Sequence, residues 1–353
     1  MQVLITGAAG FLGCELVARL VAGAMLSDAQ GRMARPTRLV LTDRHGLDPQ
    51  GPVVDPVHPM PANATSGGPN HAPAPAPTIE HRLGSLTDRD FAASLIGPDT
   101  ACVFHLAGLV SGAAEADFDA GMQANIDGTR HLLEAMRADR AQARLIRLVH
   151  ASSIAVYGAP LPARIDDLTE PRPTLSYGMQ KLVAEWLIGD MSRRGLIDGR
   201  CLRLSGVVVR PANPNGALSA FNSDLIRELL QGRPVVSPVS PEATIWVQSV
   251  ARTIDNLMLA MTLPASDYGW PRAVLLPALP VRVADIVAAV ARVAGRDVSG
   301  DVTWRPDPAV ESMFGRWPDA FTASRALSLG FVGDSDIGRI VADHARASGL
   351  IRE

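Results

Sequence analysis

The sequence predicts an α/β protein: a parallel sheet doubly wound by helices, followed by a smaller C-terminal α/β cap. Three observations predict it. Short apolar runs alternate with longer stretches of helical period. The apolar runs are continuous rather than alternating with polar residues. Beyond about residue 205 this rhythm gives way to short elements set between prolines (Pro211, Pro214, Pro234, Pro238, Pro241). Alternating strands and helices build right-handed βαβ units, and continuously apolar strands are those covered on both faces. A chain of 353 residues suits about two domains, or one large domain with an elaborated end.

Taken in order, strands are expected at Val3–Thr6, Arg38–Thr42, Ala101–Leu106, Leu145–Ala151, Cys201–Val209 and Val274–Leu276. Helices are expected at Leu12–Leu26, Phe118–Met136 and Tyr177–Met191, then at Ser219–Gln231, Val250–Met261, Val283–Val293 and Asp336–Ala347. This divides the chain into a nucleotide-binding part, residues 1–205 and 243–275, and a substrate-binding cap, residues 206–242 and 276–353. Residues 48–78 break the rhythm. They are rich in proline, alanine and glycine, have no period, and read as a long surface insertion after the second strand.

Composition narrows the function. With 47% hydrophobic and 20% charged residues the chain is an ordinary globular one. A net charge of −3 gives no electrostatic footprint for nucleic acid or an anionic membrane. The opening MQVLITG reads as a strand and a turn, without a basic leader or a spanning apolar run, so a cytoplasmic protein is expected. Cys14, Cys102 and Cys201 are scattered, without metal-ligand spacing, and are expected to be reduced thiols; no metal is expected. Cys14 follows a glycine-rich turn, where a helix N-terminus lowers a thiol pKa, although packing is its simpler role.

That turn, TGAAGFLG, carries Gly7, Gly10 and Gly13 between the first strand and the first helix. In this context the first glycine permits a tight turn, the second lets backbone approach a pyrophosphate, and the third lets the helix pack on the sheet. The helix N-terminus adds free N–H groups and partial positive charge. Asp43 closes the second strand, RLVLTD, where a carboxylate accepts both hydroxyls of an adenine ribose and repels a 2′-phosphate. NAD is therefore favoured over NADP, with Arg44 next to Asp43 leaving some NADP use open. The whole reads as a Rossmann-type domain.

A further pattern is TLSYGMQKLVAEWL, residues 174–187. Tyr177 and Lys181 are four residues apart, so on a helix both leave the same face. Alone, this spacing is a common accident. Together with HLAG at 105–108 and SSIAVYG at 152–158, in this order after TGAAGFLG, it is not. With these four landmarks the chain resembles the extended short-chain dehydrogenase/reductase (NAD-dependent epimerase/dehydratase) family across nearly its whole length.

The resemblance implies roles. Ser153 aligns with the catalytic serine, Tyr177 with the acid/base and Lys181 with its lysine. Phe11 and Leu12 would give backbone contacts to the pyrophosphate. Leu86, Leu106, Ala107 and Gly108 would line the cofactor, with Asn125 supporting the adjoining helix. Leu204 and Val207 would pass the nicotinamide. Members usually dimerise through the Tyr-x-x-x-Lys helix and the helix before it, so a homodimer is expected, with Leu182, Val183 and Trp186 serving the contact or the core. The chemistry agrees with the residues. A free tyrosine has a pKa near ~10. A neighbouring ammonium favours its phenolate, which then takes the proton from a carbinol as hydride leaves. The serine hydroxyl steadies the reacting oxygen.

Two departures matter. Ser85 stands where the family usually has an aspartate facing the adenine. EATIWVQS (242–249) replaces a later motif, putting Glu242 where an arginine would meet a nucleotide diphosphate, which counts against a UDP-sugar substrate. Residues 192–221 and 315–331 resemble a bacterial branch that oxidises the 2-hydroxyl of a D-erythronate-like sugar acid to a 2-oxo acid, apart from Ser205, where that branch usually has proline. Such an acid needs a cationic or N–H-rich pocket with hydroxyl-reading groups. Ser111, Ser153, Asn215, Ser219 and Ser223 are the candidates, although Asn215–Gly216 is also a good turn pair and Ser219 a fair helix cap. Arg325, Trp246 and Trp317 read as structural. Two alternatives stay open: a sugar or nucleotide-sugar 4-epimerase that retains its NAD, and an NAD(H) sensor without turnover.

Overall fold

A computed structural model describes residues 1–27, 31–46, 75–138, 145–212 and 218–351. Most of the 48–78 insertion and the Asn215–Gly216 pair lie outside the described residues. Ten strands organise the cleft: β1 (Gln2–Thr6), β2 (Arg38–Asp43), β3 (Thr78–Leu83), β4 (Thr100–His105), β5 (Arg147–Ser153), β6 (Asp198–Leu204), β7 (Gly206–Val208), β8 (Thr244–Ser249), β9 (Ala273–Leu275) and β10 (Leu279–Arg282). Seven of them form a sheet in the order β9-β6-β5-β4-β1-β2-β3, and every pairing in it is parallel.

The sheet is covered on both faces, as its apolar runs require. Val3 and Ile5 of β1 pack with Leu16 and Leu20 on one face, while Leu4, between them, packs with Leu132 and Leu133 on the other. This is the two-residue alternation of a pleated strand, filled on both sides. The winding direction reverses between β1 and β4, and a crevice opens outside the carboxyl ends of strands at such a point. The helices that matter here are α1 (Phe11–Val21), α2 (Gly128–Ala138), α3 (Ser176–Arg193), α4 (Phe221–Leu230), α5 (Val250–Thr262), α6 (Val283–Ala294) and α7 (Ile337–Ala347).

The second sheet is small: β7 runs parallel to β8, and β10 antiparallel to it. Leu225 and Ile226 of α4, Ile286 and Val290 of α6 and Val341 of α7 pack with Val247 of β8 into a separate core. Residues 244–249, grouped by the sequence reading with the nucleotide-binding part, thus form the central strand of the small sheet. The expected single strand Cys201–Val209 is two strands, broken at Ser205, where the chain passes from the large sheet to the small one.

Other differences have local causes. The first helix stops at Val21 rather than Leu26 because Gly23 turns the chain at a positive φ of 100°, and Leu26–Ser27 then pairs with Met33–Ala34. The stretch 118–136 is interrupted by a π-turn at Gln123–Asp127. β3 is not among the expected strands: its residues are only half-buried or exposed and carry no apolar run. Trp246 and Trp317 are core residues whose ring centroids lie 4.9 Å apart. Arg325 is structural, donating to the carbonyls of Ala273 and Tyr268. Trp186 stands out on α3 with 68% of its surface exposed. Among the described residues no helix is long and apolar enough to cross a membrane.

Candidate active site

The carboxyl ends of β1, β2, β4 and β5 and the segment joining β6 to α4 enclose one cleft of about 960 Å³. All the cofactor residues expected from the sequence line it: Gly7, Gly10, Phe11, Leu12, Gly13, Asp43, Leu86, Leu106, Ala107, Gly108, Tyr177, Lys181, Leu204 and Val207. So do Ser111, Ser153, Ser219 and Ser223. Asn215 lies outside the described residues.

The glycine turn is held by close approach. Gly7 sits at φ 72°, and a Cβ on it would meet the Ala107 nitrogen at 2.6 Å. A Cβ on Gly13 would meet the Gly7 carbonyl oxygen at 2.3 Å, so that glycine sets how tightly α1 docks. A Cβ on Gly10 would touch only the Gly7 oxygen, at 3.2 Å, and would otherwise intrude on the cleft that Gly10 lines. The N–H groups of Phe11, Leu12 and Gly13 have no acceptor within the helix they start, and the first turn of α1 carries no acidic residue. A pyrophosphate-like anion fits that cradle. Asp43 braces the turn by accepting hydrogen bonds from the Ala9 and Arg44 backbone N–H groups at 3.1 and 2.7 Å. Cys14 is not activated here. Burial, Glu15 and Asp43 push its thiol up, and it donates to the Ala8 carbonyl.

A chain of hydrogen bonds fixes the floor. Thr129 donates to the Asn125 carbonyl at 2.7 Å, His105 bridges Thr129 and Thr6 at 2.9 and 2.8 Å, and the Ala107 N–H donates to the Thr6 hydroxyl. Burial pushes His105 down to about 3, so it is a neutral imidazole. The π-turn aims Asn125 at the loop after β4. Its amide accepts from the Leu109 N–H at 2.8 Å and donates to the Leu109 carbonyl and to Gln180 of α3. Behind β5, Ser152 donates to Glu185, whose carboxylate also takes the guanidinium of Arg203. Arg203 in turn donates to the Tyr157 hydroxyl at 2.8 Å. The bracket ties β5, α3 and β6 at the level of Ser153.

Ser153 ends β5, and its hydroxyl accepts from the Ala155 N–H at 3.1 Å. Tyr177 and Lys181 leave the first turns of α3 on the same side, with the ammonium 5.7 Å from the Tyr177 ring centroid. Lys181 is 5% exposed and donates to the Ala151 carbonyl at 2.9 Å. Burial brings its pKa down to about 8. Burial pushes the Tyr177 hydroxyl up instead, while a hydrogen bond with Ser153 and the charge of Arg210 pull it the other way. In the protein alone burial thus outweighs the groups that favour the phenolate, and the Tyr177 hydroxyl stays above its ordinary value despite the charge of Arg210 and the nearby Lys181 ammonium.

Arg210 was missed by the sequence reading. It stands in the proline-rich turn GVVVRPANPNG and reads there as a surface residue. The available signal was its place at the end of a continuously apolar run, on the carboxyl side where sites form in such sheets. Its Nε donates to the Val207 carbonyl and its Nη2 to the Ser219 hydroxyl, both at 2.9 Å. Its backbone N–H donates to the Ser223 hydroxyl at 3.0 Å. Ser219 and Ser223 are therefore engaged with Arg210. Ser205 also lines the cleft, and its buried hydroxyl has no partner among the described residues. Among the described residues no cluster of His, Cys, Asp and Glu could hold a metal ion.

The sequence and fold have known counterparts. Residues 3–246 match the model of the NAD dependent epimerase/dehydratase family. Two proteins match essentially end to end: the D-erythronate dehydrogenase of Cupriavidus necator, 40% identical with all of both chains covered, and that of Haemophilus influenzae, 32% identical over 97% of this chain and 98% of its own. The crystal structure of a nucleoside-diphosphate-sugar epimerase from Agrobacterium tumefaciens superposes with a TM-score of 0.82 at 32% identity, covering 98% of this chain and 94% of its own. The chain belongs to the NAD-dependent epimerase/dehydratase family, among its dehydrogenases.

Proposed function

We propose that the chain oxidises the 2-hydroxyl of a D-erythronate-like sugar acid to the 2-oxo acid, using NAD, with Tyr177 as general base. The observation that carries this reading is that Ser153, Tyr177 and Lys181 line the same cleft as the glycine turn. The two full-length relatives named for D-erythronate support the choice of substrate.

The chain's own groups divide the work. The N–H groups of Phe11, Leu12 and Gly13 would hold the pyrophosphate of NAD and Asp43 its adenine ribose, while Leu86, Leu106, Ala107, Gly108, Leu204 and Val207 would line the rest of its path. NAD, when bound, supplies the acceptor for the hydride from C2. Ser153 holds the C2 oxygen and steadies its developing charge. Tyr177 takes the hydroxyl proton as the carbinol becomes a carbonyl. Below a pH of about 8 Lys181 is a cation, and its charge favours the phenolate form of the neighbouring ring. Arg210 adds a second positive charge in the same direction. Glu242, which takes the sequence position of the arginine that would meet a nucleotide diphosphate, is exposed and does not line the cleft; the missing arginine counts against a nucleotide sugar.

The test is the absorbance of NADH on mixing the enzyme, NAD and a panel of four- to six-carbon aldonates. Stoichiometric NADH with D-erythronate is expected. No NADH with any acid, alongside interconversion of a nucleotide sugar, would establish the epimerase reading in its place.

A further inference from the structure

The cleft contains a cation that the mechanism above uses only as a distant field. Arg210 hangs from two neutral acceptors, the Val207 carbonyl and the Ser219 hydroxyl. Among the described residues it has no carboxylate within ion-pairing distance. Asp224, whose charge reaches it, is hydrogen-bonded to Arg227. The ring of Phe11 lies 5.8 Å from the guanidinium carbon and covers one side of it. A guanidinium has five N–H donors. Among the described residues the two bonds made here occupy Nε and one N–H of Nη2, leaving the N–H groups of Nη1 and the other of Nη2 for a bidentate partner.

A buried or half-buried arginine without a counter-ion is costly unless something pairs with it. The complement of its free edge is a carboxylate or a phosphate. In a 2-hydroxy acid the carboxylate is one bond from the carbinol, so a group that grips it must stand beside the base that deprotonates the hydroxyl. Arg210 is placed to do so: it lines the same cleft as Ser153, Tyr177 and Lys181, and its charge reaches the Tyr177 hydroxyl.

We propose that Arg210 anchors the substrate's C1 carboxylate through its Nη1–Nη2 edge, fixing the neighbouring C2 hydroxyl between Ser153 and Tyr177. The assignment rests on the reading of the chain as a sugar-acid dehydrogenase. It makes Arg210 the residue that selects acids over uncharged polyols. Ser219 and Ser223 become positioning residues, which aim the guanidinium rather than read substrate hydroxyls.

The experiment compares D-erythronate with D-erythronamide, its uncharged amide, in the wild type, Arg210→Met and Arg210→Lys, with the NAD dissociation constant measured separately by fluorescence. In Arg210→Met the ratio of kcat/KM for acid to amide is expected to fall on the order of 100-fold, mostly through KM, as for removal of one partner of a buried charge pair. The NAD constant stays unchanged, and Arg210→Lys, which keeps the charge but not the fork, recovers part of the ratio. If Arg210→Met fails to fold, Arg210→Lys carries the test, with a smaller loss confined to the acid. Parallel losses for acid and amide would overturn the proposal. So would a weakened NAD constant with an unchanged ratio, which would place the guanidinium on the cofactor's phosphates. A wild-type enzyme that oxidises no aldonate at all would remove the substrate reading and the anchor together. A wild type active on D-erythronate, with the ratio preserved in Arg210→Met, would remove the anchor alone.

Discussion

The nucleotide wall of the cleft presents backbone, and the cap wall presents side chains. On the first wall the geometry is set by what is missing: a Cβ at Gly7 or Gly13 would fall within 2.6 Å of neighbouring backbone, so the turn exists only because those positions are bare. On the second wall it is set by what is long. Arg210 crosses from the end of the small sheet to lie against Phe11 of the glycine turn, and is held there by two hydroxyls and a carbonyl. A backbone cradle is hard to alter by changing one side chain other than glycine. A side-chain anchor is changed by one. Cofactor binding and substrate choice should therefore separate under mutation.

Tyr177→Phe is the strongest test of that separation. It removes the proposed base without touching the glycine turn, and kcat is expected to fall by about 10³-fold, the usual scale for a general base. The NAD dissociation constant should stay within about twofold, a change of under 1 kcal/mol. A variant that keeps full activity would remove the assigned base. One that loses NAD in proportion to kcat would show that the two walls are not independent.

Much of this was legible in the sequence, and the reason differs between the walls. Continuous apolar runs located β1, β2, β4, β5 and β6, since a strand covered on both faces has no polar position to hide it. Glycine spacing located the cofactor cradle because each bare Cβ is a letter in the sequence. The change of sheet at Ser205 left no such mark: one residue of irregular backbone between Leu204 and Gly206 looks like the interior of a single apolar strand. β3 was invisible for the opposite reason, being an edge strand with half-buried polar residues. Arg210 was overlooked because an arginine before a proline-rich turn looks solvated. Only the fold brings Val207, Ser219 and Phe11 around it. Spacing along α3 likewise reports that Lys181 is near Tyr177 but says nothing of the burial that lowers the one group's pKa and raises the other's.

That burial gives an intermediate effect, at the seam of the two walls. Competitive labelling of the Lys181 amine across the pH range in the cofactor-free enzyme is expected to give a midpoint at about 8 rather than the ordinary 10.5, because burial disfavours the ammonium. The sign follows for stability as well. The folded-state pKa lies below that of the unfolded chain, so the unfolded chain binds more protons between the two values, and stability should rise with pH across that window. A midpoint above about 10, the value of a solvated lysine, would mean that the amine faces water and cannot act at the phenol.

Ser223→Ala probes the cap wall alone and carries the smallest effect. Ser223 is 1% exposed, and its hydroxyl accepts from the Arg210 backbone N–H at 3.0 Å. Losing one such hydrogen bond costs about 1 kcal/mol. If that cost appears as misplacement of the guanidinium, KM for D-erythronate rises roughly fivefold while kcat and the NAD constant stay within about twofold. The uncharged D-erythronamide distinguishes this from general loosening of α4, since an amide that does not use the guanidinium's charge keeps its KM. A fall in kcat without a change in KM would instead place Ser223 on the reacting groups, and the division between a backbone wall for the cofactor and a side-chain wall for the acid would have to be redrawn at α4.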